Sequence, residues 1–164
     1  MDEHTIEIEW EGPFSVATVI KKMNNGGSSV NYFSGNDYGV YQIYGNHILC
    51  GKDTLLYVGQ VSDQTFSERI KQHQDDWLSK EMGAKIYLGR LTKKPDYSPT
   101  GDWSEWRADV VLVESILVYK YAPNYNSYLI ATMPKLDPYE KVRLFHKGNR
   151  NRLKKIDNAP GDYC

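Results

Sequence analysis

Two tyrosines, each close to a glycine in a predicted β-strand, are the first residues of this sequence whose types and spacing could support chemistry. Tyr41 lies in YGVYQIYG (38–45) and Tyr57 lies in LLYVGQ (55–60). A phenol hydroxyl both donates and accepts hydrogen bonds, so two of them could hold a water molecule against a reacting group. An ordinary β-hairpin would contain the same residues, and these two segments alone leave both interpretations open.

A basic pair, Arg69 and His73, follows in TFSERIKQHQDDWL (65–78), where the apolar residues recur at helical spacing. Positions four apart on a helix lie on one face, so the two side chains could point together toward the tyrosines. A guanidinium binds phosphate through paired hydrogen bonds, and an imidazole can transfer a proton near neutral pH. A surface arginine and histidine without a function is the alternative interpretation.

Glu114 lies in EWRADVVLVESILVYKY (105–121), the most apolar helix that the sequence predicts. Its neighbours at three- and four-residue spacing are mostly valine and leucine. A carboxylate on such a face is costly to bury unless it is paired, protonated or bound to a cation. A metal ion and a salt bridge to Arg69 or Arg107 are the two explanations that remain open.

In chain order these residues resemble the GIY-YIG nuclease family. GVY (39–41) and YVG (57–59) correspond to the two tripeptides of the family motif. The remaining family positions are then filled in order by Arg69, His73, Glu114 and Asn126. The resemblance spans about residues 38–128, and the ordered set is far more specific than either tripeptide.

The resemblance implies an α/β (α+β) fold, with a small three-stranded antiparallel sheet flanked by helices. It also implies an endonuclease that hydrolyses DNA phosphodiesters with one divalent cation, Mg²⁺ or Mn²⁺. By that resemblance Tyr41 is the general base for the attacking water or part of its proton relay. Tyr57 positions the water and the phosphate, and Arg69 clamps the scissile phosphate.

The same resemblance assigns proton movement to His73, the metal ion to Glu114 and support of the site to Asn126. A free phenol has a pKa near 10, so Tyr41 needs a relay partner, for which His73 and Lys52 are the candidates. The interval between Tyr41 and Tyr57 is longer than the family usually has.

Gln60 also stands where some family members have lysine, which leaves the relay uncertain. A catalytically inactive nucleic-acid-binding module with the same fold is therefore the main alternative. A protein-interaction domain, suggested only by the 13 tyrosines, is a weaker one.

Length and charge suggest the wider organisation. A chain of 164 residues predicts a single domain over 1–164, with a catalytic core at 38–128 and an N-terminal extension at 1–37. A basic C-terminal extension is predicted at 135–164, where KVRLFHKGNRNRLKK contains no acidic residue. This segment predicts contacts with DNA phosphates. The residues expected to make them are Lys147, Arg150, Arg152, Lys154 and Lys155.

The sequence also predicts the cellular environment and the partners of the protein. It has two cysteines and no apolar run near the roughly 20 residues that cross a membrane. These features predict a reduced, cytoplasmic protein with DNA as its partner and no membrane contact. A homodimer would allow it to cut both strands.

The elements that must position these residues follow from periodicity. TIEIEW predicts a first strand, FSVATVIKKM a helix and NNGGSS a loop. Strands are predicted at about 39–44 and 55–59, and a third in AKIYLGRL. The segment after residue 121 is predicted to be a loop followed by a helix or a tail.

Overall fold

The computed structural model describes residues 2–24, 38–93 and 103–160. Within these ranges the chain forms a six-stranded mixed sheet that curls into a half-barrel, together with three α-helices and a 3₁₀ turn. The strands are β1 (Glu3–Phe14), β2 (Gly39–His47), β3 (Gly51–Val61), β4 (Lys85–Leu91), β5 (Lys141–Gly148) and β6 (Ile156–Ala159). The helices are α1 (Val16–Asn24), α2 (Phe66–Asp76) and α3 (Ser104–Tyr121).

The expectation of a small three-stranded antiparallel sheet is wrong. The strand order is β3-β2-β4-β1-β5-β6, and β1 runs parallel to β5 while the other pairs are antiparallel. The physical reason lies in β1, which buries Ile6, Ile8 and Trp10 on one face and hydrogen-bonds to strands on both sides. Segments expected to be extensions therefore supply three strands of the same sheet.

The strands and helices predicted around the two tyrosines are present, but the end of the chain differs from the prediction. Residues 141–148 form β5 instead of a helix or a tail. Val142, Leu144 and His146 are buried at a spacing of two, which is a strand pattern. The loop predicted at NNGGSS lies outside the described residues from residue 25 onward.

Side chains of β2 alternate between the two faces of the sheet. Tyr41 and Ile43 pack in a cluster with residues of α1 and α2. Val40 and Tyr44 pack in a second cluster that contains most of the buried face of α3. Each helix layer thus meets its own set of β2 side chains, as a period of two requires.

A buried polar network connects β1, β5, β6 and α3. The Trp10 indole N–H donates to Nδ1 of His146 at 2.9 Å, and Nε2 of His146 lies 3.1 Å from the Asp157 carboxylate. The Tyr121 hydroxyl and the Lys120 ammonium also donate to Asp157, at 2.8 and 3.3 Å. Burial alone would raise the pKa of Asp157, but these donors outweigh it and lower the pKa. Asp157 is therefore a buried carboxylate with a full set of donors.

The opposite charges of the two chain ends meet in the parallel β1–β5 pair. Arg143 lies 3.0 Å from Glu3, and Lys147 lies 2.8 Å from Glu7. These pairs are partly exposed and stabilise the fold only slightly. They nevertheless explain why an acidic and a basic segment occur at opposite ends of one sequence. Among the helices of the described ranges, none has the length and apolar character needed to cross a membrane.

Candidate active site

The phenol rings of Tyr41 and Tyr57 lie together on the α2 side of the sheet. Tyr41 is in register with Gly59 across the antiparallel β2–β3 pair, and Tyr57 points to the same face as Gly59. The two ring centroids are 6.1 Å apart, with 22° between the ring planes. Tyr44 lies on the opposite face, where its hydroxyl donates to Oε1 of Gln42 at 2.5 Å.

Gly59 makes this approach of the two rings possible. A Cβ atom at this position would collide with the phenol oxygen of Tyr41 and lie 2.8 Å from Cε1 of Tyr57. Real Cβ atoms do not approach other heavy atoms so closely, and neither ring is a flexible chain end that could move aside. The pairing of tyrosine with glycine in YVG is therefore a steric requirement of the two-tyrosine site.

His73 connects Tyr41 to α2. The helix begins at Phe66 because Thr65 caps it. The Thr65 side chain accepts from the backbone N–H of Glu68, and the Glu68 carboxylate accepts from the backbone N–H of Thr65. Two turns into the helix, Nε2 of His73 lies 2.7 Å from the hydroxyl oxygen of Tyr41. The helix start thus sets the rotation that aims His73 at the phenol.

Trp77 determines which nitrogen of His73 carries the hydrogen. The Trp77 indole N–H donates to Nδ1 of His73 at 3.1 Å. An indole nitrogen can only donate, so Nδ1 has no hydrogen and the neutral ring carries its hydrogen on Nε2. Nε2 therefore donates to Tyr41, and the expected relay from Tyr41 to His73 finds no free acceptor at this nitrogen. Lys52, the other relay candidate, is exposed and lies near Asp53 in the hairpin.

We expect the imidazole of His73 to titrate far below the usual range. Burial lowers its pKa from 6.5 to about 4, and the nearby Arg69 charge acts in the same direction. NMR titration of the ring protons should show a midpoint about two units below that of an exposed histidine. A midpoint at pH 6 or above would contradict the buried, Trp77-bonded geometry.

The lowered pKa of His73 makes the folded protein less stable as the pH falls. Between pH 6.5 and about 4 the unfolded chain binds a proton at His73 that the folded chain does not. The contribution of the neutral ring is therefore complete above pH 6.5 and is lost as the pH falls. His73→Gln should reduce this part of the pH dependence of the free energy of unfolding.

Arg69 brings a positive charge to both phenols. Its guanidinium lies close enough to the hydroxyl groups of Tyr41 and Tyr57 to interact with both, and one of its nitrogens donates to Oε1 of Gln72 at 2.9 Å. Burial would lower the pKa of Arg69, but the interactions with the two phenols raise it. Burial and the neighbouring Tyr57 raise the pKa of Tyr41, while Arg69 opposes that shift. Tyr41 is accordingly a neutral phenol in the free protein.

Glu114 brings a carboxylate close to this group. It is half-buried on α3. It lies near enough to Tyr41 to raise the pKa of that phenol, and near enough to Arg69 for the guanidinium to lower the pKa of Glu114. Burial raises the pKa of Glu114 to about 7, and Arg69 only partly offsets this rise. Across the described ranges no side chain forms a hydrogen bond or ion pair with this carboxylate. Of the two explanations left open by the sequence, a salt bridge to Arg69 or Arg107 is not formed.

The chemistry of Glu114 fits a hard divalent cation. Mg²⁺ commonly binds through one or two carboxylates and completes its coordination with waters and substrate phosphate oxygens. A half-buried carboxylate without a protein partner is suited to that role. Within the described part of the chain, no group of three or more His, Cys, Asp or Glu side chains converges on a metal position. Glu114 would thus hold the ion together with waters and substrate oxygens.

Asn126 supports the strand that carries Tyr57. Its side-chain amide donates to the carbonyl of Val58 and accepts from the backbone N–H of Val58, both at 2.9 Å. Val58 lies between Tyr57 and Gly59 on the outer edge of the sheet. Asn126 therefore satisfies the free edge of β3 at the point where the strand lines the site, and does not itself touch the phenols.

The five basic residues expected to bind DNA lie apart from the tyrosine pair. Lys147 is at the end of β5, paired with Glu7. The other four lie between β5 and β6: Arg150, Arg152, Lys154 and Lys155. The carbonyl of Arg150 accepts from the Gln42 side chain at 3.5 Å, and Arg152 lies beside Tyr44. This basic loop therefore borders the α3 face of β2.

Trp77 does more in the site than its apolar character predicts. It packs against the apolar cluster formed with α1 and α2, as the helical spacing of TFSERIKQHQDDWL predicts, and its indole N–H also determines the tautomer of His73. The available signal was its position four residues after His73, which places both side chains on one helix face. Gln72, which orients Arg69, had no comparable signal.

Comparison of the chain with models of known protein families, with curated proteins and with solved structures gave no match. The resemblance to the GIY-YIG family therefore depends on the motif residues alone.

Proposed function

We propose that this protein is a divalent-cation-dependent endonuclease that hydrolyses DNA phosphodiesters. The observation that carries the proposal is the position of the Arg69 guanidinium beside the Tyr41 and Tyr57 phenols, near the Glu114 carboxylate, which has no hydrogen-bond or ion-pair partner among the described residues. A positive clamp, two hydroxyls and a hard anionic ligand are the groups that phosphodiester hydrolysis requires.

Arg69 would bind the scissile phosphate. Its guanidinium is partly exposed and lies beside the two phenols. Arginine presents several donors in a planar fork that matches two phosphate oxygens. Negative charge that develops on these oxygens during attack is thereby stabilised without any reorganisation of the side chain.

Tyr41 would hold the attacking water. Its oxygen accepts a hydrogen bond from Nε2 of His73 and lies near the Arg69 charge, so its own hydrogen is left to bind the water. His73 acts here as a donor and takes no proton, so Tyr41 would hold the water as a neutral phenol. The proton that the attacking water loses would pass to a non-bridging phosphate oxygen and from there to the leaving oxygen. Tyr57 would contact the phosphate from the neighbouring position.

Glu114 would hold the cation on the other side of the phosphate. A bound Mg²⁺ or Mn²⁺ would neutralise charge on a non-bridging oxygen and on the leaving oxygen. Binding of a cation also keeps Glu114 ionised at a pH where burial would otherwise leave it partly protonated. Asn126 would hold β3 in place through Val58.

The proposed function also implies a partner, a cellular environment and an oligomeric state. DNA is the proposed partner, with the basic residues at 147–155 as phosphate contacts. A reduced, cytoplasmic environment suits Cys50, which is an exposed free thiol. A homodimer is the proposed arrangement for cutting both strands of a duplex.

The test is nicking of supercoiled plasmid with Mg²⁺ or Mn²⁺, compared with EDTA. We expect the wild-type protein to convert the plasmid to the open-circular form only with metal. Glu114→Gln and Arg69→Ala should each slow this conversion by about 10²-fold, because each removes one means of charge stabilisation. Rates should be compared at matched protein concentrations under single-turnover conditions.

Matched controls are available on the same two helices. Glu105→Gln changes an exposed carboxylate on α3, and Lys71→Ala changes an exposed cation on α2. Both should cleave at the wild-type rate. Equal cleavage by all variants would remove Glu114 and Arg69 from the site. Binding of DNA without cleavage by the wild-type protein would instead favour an inactive nucleic-acid-binding module.

A further inference from the structure

The tip of the β2–β3 hairpin exposes two large aliphatic side chains. Ile48 is 96% exposed and Leu49 is 87% exposed, at adjacent positions between the two strands. Other large apolar side chains of this region, such as Tyr41 and Leu56, are fully buried. Adjacent, almost fully exposed aliphatic residues are typical of a contact surface for a partner.

Hydrogen bonds hold this tip in a fixed shape. Nδ1 of His47 accepts the backbone N–H groups of Leu49 and Cys50, at 3.3 and 3.2 Å. The Thr54 hydroxyl donates to the carbonyl of Gly51 at 2.9 Å. The tip therefore presents its aliphatic pair from a preorganised turn, which lowers the entropy lost on binding.

A row of aromatic rings joins the tip to the tyrosine pair. Ring centroids are 6.1 Å apart for Tyr57 and Trp77, 5.3 Å for Trp77 and Tyr125, and 6.0 Å for Tyr125 and His47. Tyr125 is 40% exposed, and its hydroxyl donates to Glu81. Tyr125 is the exposed ring of this row, while His47, Tyr57 and Trp77 are partly exposed. Accessible aromatic rings are surfaces on which unpaired bases stack.

Positive charge surrounds the base of the hairpin. Lys52, Lys85 and Arg152 all lie close enough to Asp53 to lower the pKa of that carboxylate. With Glu81, which lies against Gly45 of the hairpin, two acidic side chains stand among three cations, and the remaining positive charge would complement a DNA backbone. A protein or lipid contact through the aliphatic pair alone would not require these cations or the aromatic row.

We propose that the hairpin is a wedge, which inserts Ile48 and Leu49 between base steps of the DNA that the tyrosine site cleaves. The inference rests on the proposed nuclease function. Aliphatic side chains inserted in this way unstack bases and kink the duplex, at a cost that unpaired bases reduce. The wedge therefore favours DNA with a mismatched or unpaired step where the tip contacts it.

The geometry also gives the position of that step. From Gly51 to Tyr57, β3 extends roughly 20 Å at about 3.3 Å per residue, and the turn carries Leu49 about 5 Å further. The proposed DNA strand lies along this hairpin. One strand of DNA advances about 3.4 Å per nucleotide, so the unstacked step lies about seven nucleotides from the scissile phosphate.

The binding test uses the Glu114→Gln protein, so that DNA is not consumed. Its affinity is measured for a duplex with one mismatched pair and for the matched duplex of otherwise identical sequence. We expect about tenfold tighter binding to the mismatched duplex. 2-Aminopurine beside the mismatch should brighten when the protein binds. Adding Ile48→Ser and Leu49→Ser should remove both effects, whereas adding Val111→Ser, on the exposed face of α3, should remove neither.

Cleavage by the protein with native Glu114 gives a separate readout. Cuts in the mismatched duplex should concentrate about seven nucleotides from the mismatch. An unchanged mismatch preference in the Ile48→Ser, Leu49→Ser protein would overturn the wedge even if plasmid nicking is normal. Loss of self-association or of vesicle binding in that protein, with mismatch binding intact, would likewise overturn it. Failure of wild-type nicking, by contrast, would reject the nuclease and leave the binding result to be judged by itself.

Discussion

Tyr41→Phe is expected to slow metal-dependent DNA cleavage by about 10³-fold, within the range that loss of one preorganised hydrogen-bond donor of an active site produces. The substitution keeps the buried ring and removes only the hydroxyl that hydrogen-bonds to His73. It also removes the atom on which Arg69 and His73 converge, so the water loses the group that holds it. The rate constant for single-turnover cleavage is the measurement.

Tyr44→Phe is the matched control for this change. Tyr44 is equally buried, lies in the same strand and also loses a side-chain hydrogen bond, but it faces α3. We expect its cleavage rate to stay within about threefold of wild type, with stability lowered by about 1 kcal/mol in each variant. If the two variants cleave at the same rate, the side of the sheet on which the phenol lies does not matter, and Tyr41 is not part of the chemistry.

Asp157→Ala is expected to lower the free energy of unfolding by about 3–5 kcal/mol, the usual cost of removing one partner from a buried charged group. Three donors lose their acceptor at once: Nε2 of His146, the Tyr121 hydroxyl and the Lys120 ammonium. These groups belong to β5 and α3, so the loss affects the contact of the helix with the sheet. Urea unfolding followed by tryptophan fluorescence is the measurement.

Asp75→Ala provides the comparison. Asp75 forms an exposed ion pair with Lys71 on α2, and its removal should change the free energy of unfolding by less than about 0.5 kcal/mol. A cost below about 1 kcal/mol for Asp157→Ala would mean that water replaces its partners and that the network is not dry.

The part of the candidate site that the sequence could predict is the part set by local periodicity. Arg69 and His73 share a face because they are four apart on a capped helix, and Tyr57 and Gly59 share a face because they are two apart on a strand. The structure brings these residues to Tyr41, as expected. Whether they act on DNA is a prediction for the experiments above.

What the sequence could not predict depends on contacts between distant segments. The parallel β1–β5 pair joins the two ends of the chain, and each strand shows only its own alternation until the two are placed side by side. The charges of Glu7 and Lys147 illustrate the same difficulty. Glu7 lies in an acidic segment that resembles a cation-binding tail, and Lys147 lies in a basic segment that resembles a polyanion-binding tail. In the structure the two side chains form an ion pair with each other.

Two histidines on different elements, His73 on α2 and His146 on β5, have the same pattern of hydrogen bonds. His73 and His146 each accept an indole N–H at Nδ1 and present Nε2 to an oxygen, of Tyr41 in one case and of Asp157 in the other. Neither tryptophan indicates such a role in the sequence, because tryptophan in a periodic segment is first interpreted as a core residue. The polar function of a buried tryptophan becomes evident only from its partner.

The inner position of β1 has a consequence for how the chain is made. Its two neighbours, β4 and β5, are both synthesised after it, and β5 ends at Gly148. At typical elongation rates, on the order of ten seconds separate the appearance of β1 from that of β5. During that time the apolar face formed by Ile6, Ile8 and Trp10 has no complete sheet to join. A strand made more than a hundred residues after β1 thus completes the sheet in which β1 is buried.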